Sequence, residues 1–167
     1  MQNLTRVSHE HHDRLRGYVD KLDQLADCLN TDCLDSGRLR DRLPELRELY
    51  KGLTEVLVPH MEAVEIAVYP TLDRLASGSG TTAPLAREHV EIKRLIDRIG
   101  TFANDAEAHS DRIAVLGLHR VALRLEALLK AHLAEEELYI PILEDRLTSA
   151  QESALARALD HIDSEPM

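Results

Sequence analysis

The stretch "AHLAEEELYIP", residues 131–141, decides how this chain is read. It lies in a helical pattern, yet it carries one histidine, three consecutive glutamates and a late proline. Successive α-helical residues are rotated by about 100°, so His132 and Glu136 stand about 40° apart. Both fall near the middle of an apolar stripe made by Leu118, Ala122, Leu125, Leu129, Leu143 and Leu147. If that stripe is core, only Glu135 and Glu137 of the three glutamates can be solvated. A buried carboxylate is costly unless a cation or a set of donors compensates it. A metal ion held by His132 and Glu136, as i, i+4 ligands on one face, is the compensation these residue types suggest.

The rest of the chain supplies matching groups. A near-echo, "PHMEAVEIAVYP" at 59–70, belongs to a helix predicted from about Leu43 to Leu75, with Leu46, Leu53, Leu57, Val64 and Val68 on its stripe. His60 lies within about 40° of that stripe's centre. Pro59 and Pro70 are expected to kink or divide this helix. After the break "SGSGTT", Pro84 opens a helix predicted over about 84–107, in which His89 replaces an aliphatic residue in the series Leu85, Ile92, Ile96, Ile99. The first helix, from about Leu4 to Leu29, carries "HEHH": His9 points away from its stripe, His11 lies near the centre and His12 at the edge. The segment "NTDCLDSGRLRD", 30–41, reads as a loop. Ser110 is a good N-cap for the fourth helix, which runs to about Leu147. Capping-box spacing from Ser149 to Glu152 predicts a short peripheral helix over about 149–163. Four long helices with short connections give an all-α fold, an antiparallel up-down-up-down four-helix bundle over about 4–147, in a single domain spanning 1–167.

A core histidine taken alone is an ordinary hydrogen-bonded residue. One inward histidine from each of four helices, gathered around one buried glutamate, is a metal site. Imidazole and carboxylate with open positions suit iron, and zinc is also compatible. Four histidines and one glutamate suit one metal well, and two only if water or oxide bridges them.

Composition narrows the partners. The chain is 44% hydrophobic and 30% charged, with a formal net charge of −10, which argues against nucleic acid or an anionic membrane surface. The N-terminal "MQNLTRVSHEHH" has no apolar core of signal-peptide length, so a cytoplasmic location is expected. Cys28 and Cys33 match no zinc or redox spacing and are expected to be free thiols.

The one histidine of the first helix with "PHMEAVEIAVYP", "REHVEIKRLI" and "AHLAEEELYIPIL" on the other three resembles the hemerythrin-like, or HHE cation-binding, domain of the bacterial single-domain type. The resemblance spans about residues 4–147 and implies a non-haem di-iron centre, oxo- or hydroxo-bridged. Its ligands would be His12 or His11, His60, His89, His132 and Glu136. The family's usual spacing favours His12, whereas helical phase favours His11. The family pattern H-x-x-x-E on the second helix puts a bridging carboxylate at position 64, where this chain has Val64. Glu65 replaces it only if the helix is locally distorted; otherwise Glu62 or an exogenous ligand substitutes, or a single bridging glutamate remains. The resemblance implies reaction with hydrogen peroxide, O2 or NO, or iron sensing. Catalase-like peroxide disproportionation is the favoured activity and reversible binding or sensing the alternative. Tyr139, one turn beyond Glu136, is the candidate catalytic hydrogen-bond donor, with Tyr69 and Tyr18 weaker candidates of the same kind.

Overall fold

In the computed structural model, every regular element among the described residues is helical. Described are residues 4–31, 36–76, 80–104 and 112–162, without the side chains of 30, 31, 36–40 and 160–162. Cys33, His109 and Ser110 lie outside the described residues, as does the side chain of His161.

Three of the long helices are unbroken: α1 (Leu4–Thr31), α5 (Ala83–Asn104) and α6 (Arg112–Arg146). Their apolar residues recur every three or four positions, as a one-sided helix requires. The second long stretch differs. It consists of α2 (Ser36–Gly52), a π turn (Leu53–Leu57), α3 (Val58–Ala63), a second π turn (Val64–Val68) and α4 (Tyr69–Leu75). Each π turn stands directly before a proline, Pro59 or Pro70, at the start of the next α segment. Proline lacks an N–H and its ring collides with the carbonyl four residues back. Widening the turn displaces that carbonyl: Val58 N–H donates to Leu53 O and Tyr69 N–H to Val64 O, five residues back in each case. The expected kinks are thus realised as two local widenings. Helix α2 also begins at Ser36, inside the segment read as a loop, because the Gly-Arg-Leu-Arg that follows Ser36 includes good helix formers.

Helix α1 packs on α6, α6 on α5, α5 on α2 and α2 on α1, which closes a ring around one interior. At Gly100 the ring of Tyr50 lies so near α5 that a Cβ there would come within 2.5 Å of it. One apolar cluster gathers Leu15 to Leu29 of α1 with Leu46 to Met61, Ile92 to Ala103 and Val115 to Leu133. A second gathers Leu4, Val7, Val64, Val68, Leu72, Leu85, Ile140 and Leu143 with Leu155, Ala156 and Leu159 of α7 (Ser149–Ile162). Between them, every long helical stretch contributes a buried histidine: His11 and His12, His60, His89 and His132, the last joined by Glu136.

Helix α7 is capped one residue earlier than its sequence suggests. Thr148 N–H donates to Gln151 Oε1 at 3.0 Å and Gln151 N–H to Thr148 Oγ1 at 3.4 Å, a reciprocal capping box. Glu152 is thereby left to accept from the backbone N–H of Leu4 at 3.4 Å, tying α7 to the start of α1. Among the described residues, no helix is long and apolar enough to cross a membrane.

Candidate metal centre

Glu136 stands at the middle of the polar layer, 6% exposed, and its two oxygens face opposite ways. Oε2 faces Nε2 of His12 at 3.3 Å and Nε2 of His60 at 3.6 Å. Oε1 faces Nε2 of His132 at 3.4 Å and Nε2 of His89 at 3.9 Å. Two buried triads result, His12–His60–Glu136 and His89–His132–Glu136, sharing one carboxylate; within each triad the donor atoms lie within 4.8 Å of one another. Two ligands about 2.0–2.2 Å from a common ion sit about 3 Å apart, so these separations suit a cation held by each triad.

Hydrogen bonding on the outer faces of the rings strengthens that reading. His89 Nδ1 lies 2.6 Å from Glu65 Oε1 and His132 Nδ1 lies 2.8 Å from Glu88 Oε2. A carboxylate accepts, so each Nδ1 carries the proton and each Nε2 presents a lone pair inward. Those two Nε2 atoms are 2.9 Å apart. Two lone pairs at that distance repel unless a proton or a cation stands between them. On the other side, His60 Nδ1, His60 Nε2 and Glu136 Oε2 are buried without a hydrogen-bond partner among the described residues. Polar atoms left so are costly, and a metal would satisfy His60 Nε2 and Glu136 Oε2 together. Each triad is a two-histidine, one-carboxylate set, the donor type that suits non-haem iron with open positions.

Electrostatics follow the geometry. Burial alone would raise the Glu136 pKa, but the neighbouring His12, His132 and His60 rings hold it well below the usual carboxylate range. Burial depresses His89, helped by the charge of His132 and opposed by Glu65. Burial also acts to depress His132, but Glu136 and then Glu88 overcome it and raise that ring. Tyr69 donates to Glu136 Oε1 at 2.9 Å and its oxygen lies 3.2 Å from His89 Nε2, its ring stacked on that of His89 at 5.5 Å. Burial and the Glu136 charge raise its pKa far above the ordinary phenol value, so the hydroxyl keeps its proton.

A cavity of about 20 Å³ opens beside the first triad. His12, His60, Glu136 and Tyr69 form its polar side, and Val64, Val68, Leu72, Ile140 and Leu159 its apolar side.

The residues singled out from sequence divide as follows. His12, His60, His89, His132 and Glu136 converge. His11 is buried but outside both triads; its ring lies 5.7 Å from that of His60 and it lines the cavity. Glu65 is not among the inward donors. The π turn at Val64–Val68 supplies the distortion its ligation would need, yet the side chain engages the outer nitrogen of His89. Glu62 is exposed and pairs with Lys93 at 3.5 Å. Val64 is buried on the cavity wall. Tyr139 lines the cavity, partly buried, while the hydroxyl on Glu136 belongs to Tyr69. That role follows from helical phase. Nine α-helical steps from His60 would put Tyr69 about 180° away, and the extra residue taken up by the π turn brings it to about 80°. The outer carboxylates Glu88 and Glu137 leave no signal in a single helix's periodicity, since their partners are on other helices.

No curated protein and no solved structure matches the chain. The hemerythrin HHE cation binding domain matches residues 3–143, nearly the whole chain and every residue of both triads. The shared buried carboxylate and its four histidines support a non-haem iron protein, and the chain belongs to the hemerythrin HHE cation-binding family.

Proposed function

We propose that this chain binds two irons, one in each triad and bridged by Glu136, and disproportionates hydrogen peroxide, two H2O2 giving two H2O and one O2. The observation that carries the reading is the division of Glu136, one oxygen toward His12 and His60 and the other toward His89 and His132. Iron, when bound, supplies the two-electron couple, so that one peroxide is reduced to water and the second oxidised to O2 with no external reductant.

The chain's own residues do the rest. Glu136 supplies the negative charge shared by the two halves, and Tyr69 holds its Oε1 in place while keeping its own proton. Glu65 and Glu88 fix the tautomers of His89 and His132. The apolar wall of Val64, Val68 and Leu72 keeps bulk water from the His12–His60 side, where the cavity admits a small molecule. In this reading the four long helical stretches run up-down-up-down and the protein works in the cytoplasm on freely diffusing H2O2, without a nucleic-acid or membrane partner. With Val64 in place of a second carboxylate, Glu136 would be the one glutamate to hold both irons, and an oxo or hydroxo group would have to make up the remaining bridge.

Reversible binding of O2 or NO, or iron and redox sensing, is the second reading. The cavity beside His12 and His60 favours it, because it gives a small ligand room to enter and leave unchanged. The deciding experiment measures iron per chain, then O2 released from peroxide in the absence of reductant. Two irons with steady O2 release support the catalase-like reading. Two irons with reversible spectral changes and no O2 release support the second, and protein that takes up no iron defeats both.

A further inference from the structure

Helix α7 lies beyond the part of the chain that the family accounts for, since the match ends at residue 143 and α7 spans Ser149–Ile162. It is nevertheless packed on α1, on α3 and on the second π turn, the segments that carry or flank His12 and His60. Its inner face, Leu155, Ala156 and Leu159, is buried in the second apolar cluster. Leu159 reaches furthest, for it lines the same cavity as His12, His60 and Glu136. The sequence reading of α7 as peripheral is therefore corrected: one of its side chains closes the space beside the candidate metal centre.

The size of that space matters. A cavity of about 10–15 Å³ holds one water, so a cavity of about 20 Å³ takes one water-sized group and nothing branched. Val64 and Leu72 form the facing wall, and both are themselves held in the cluster that contains Leu159. The glutamate pattern of Glu152 on Leu4 N–H and the Thr148–Gln151 cap anchor α7 at its N-terminal end.

We infer that Leu159 sets the size limit of this site, restricting its peroxide to H2O2 itself and excluding organic hydroperoxides such as tert-butyl hydroperoxide. The inference rests on the peroxide reading proposed above, and it names the substrate class within it. The bulky analogue could take the reduced partner's place with H2O2 as the reductant, one tert-butyl hydroperoxide and one H2O2 giving tert-butanol, H2O and O2, so the wall rather than the stoichiometry excludes it.

The test uses the full chain in two forms. With iron loaded and both peroxides present, so that H2O2 is the reductant, wild type should consume H2O2 and leave tert-butyl hydroperoxide untouched, whereas Leu159→Ala should raise the ratio of tert-butyl hydroperoxide to H2O2 consumption by at least about tenfold, as expected when several carbons are removed from a pocket wall. Without metal, tert-butanol should shift the methyl resonances of Val64, Leu72 and Ile140 in Leu159→Ala and leave them in place in wild type. Equal consumption of both peroxides by wild type, or an unchanged ratio in the variant, overturns the inference. If wild type consumes neither peroxide, the catalytic reading fails, and the tert-butanol titration alone decides the size limit: shifts in the variant only support it, and shifts in both or in neither sink it. Should circular dichroism show that Leu159→Ala does not fold, Leu159→Val carries the same comparison with a smaller rise.

Discussion

The two halves of the candidate centre share one carboxylate and are otherwise built differently. On the His89–His132 side, each ring is held from behind by a glutamate, at 2.6 Å and 2.8 Å, and Tyr69 stacks on His89. On the His12–His60 side, His12 has only the looser Glu137 at 3.4 Å, His60 has no hydrogen-bond partner among the described residues on either nitrogen, and a cavity lies alongside. A rigid half holds its donors in place before anything binds. The other half leaves its donors adjustable and gives them room. The difference teaches that one symmetric-looking set of four histidines can divide the work, one pair for affinity and one for ligand exchange.

The largest expected effect removes what the halves share. Glu136→Ala should take iron from two per chain to well under one, measured by metal analysis after gel filtration; retention of both irons would show that the carboxylate does not join the halves. Next comes the metal itself. If iron binds the folded chain only, loading at about a hundredfold above its Kd should add about 2.7 kcal/mol of stability for each site filled. For a chain of this size that corresponds to roughly 5–10 °C in the calorimetric midpoint per site. The asymmetry is then tested directly: Glu88→Gln and Glu65→Gln should weaken iron binding by about 10–100-fold, and Glu137→Gln by much less. Equal losses in a competition titration against a chelator would abolish the distinction between the halves. A smaller effect is expected of Tyr69→Phe, which deprives Glu136 Oε1 of a donor and should cost the metal-free protein about 1–3 kcal/mol in urea unfolding.

The smallest concerns the clasp that holds α4, and with it Tyr69, to the start of α5. Asp73 accepts from the N–H groups of Gly80 and Thr82 and from the Thr82 hydroxyl, and these bonds, the Thr82 and Gly80 backbone N–H first, lower its pKa. A carboxyl depressed in the folded state contributes stability above its unfolded pKa, near 4, and loses it as pH falls. Asp73→Asn should therefore lower the melting midpoint slightly at pH 6, with the gap to wild type closing as pH drops below about 4. A gap independent of pH would mean that the charge of Asp73 plays no part.

How much of this was legible in the sequence depends on where the helices stay regular. Along α1, α5 and α6 the 100° step holds without interruption, and His89, His132 and Glu136 could be placed inward from phase alone. Phase favoured His11 over His12, yet both are buried and His12 is the one that meets Glu136, because which ring does so depends on how α1 is turned against α6. Between Leu53 and Val68 the step changes twice, and there the same reasoning misjudged Glu65 and Tyr69. Glu88 and Glu137 show no sign of their role in one helix's periodicity, since each meets its histidine on a different helix. The role of Leu159 was hidden for the same reason: it depends on where α7 docks, and an amphipathic pattern reports only that it docks somewhere.

The π turn at Val64–Val68 has one further consequence, for the chain's length. It absorbs one residue more than an α turn would, so a variant lacking Ile66, which is 75% exposed, could close the turn to ordinary α geometry. Everything after it would then keep its phase relative to His60, because eight α-helical steps give the same 80° that nine residues reach through the π turn. Tyr69 would stay turned toward Glu136, while Pro70 would face the carbonyl it now avoids. Closing the turn without the deletion would instead carry Tyr69 about 100° away from Glu136, which makes the count of residues here as much a part of the site as their kinds.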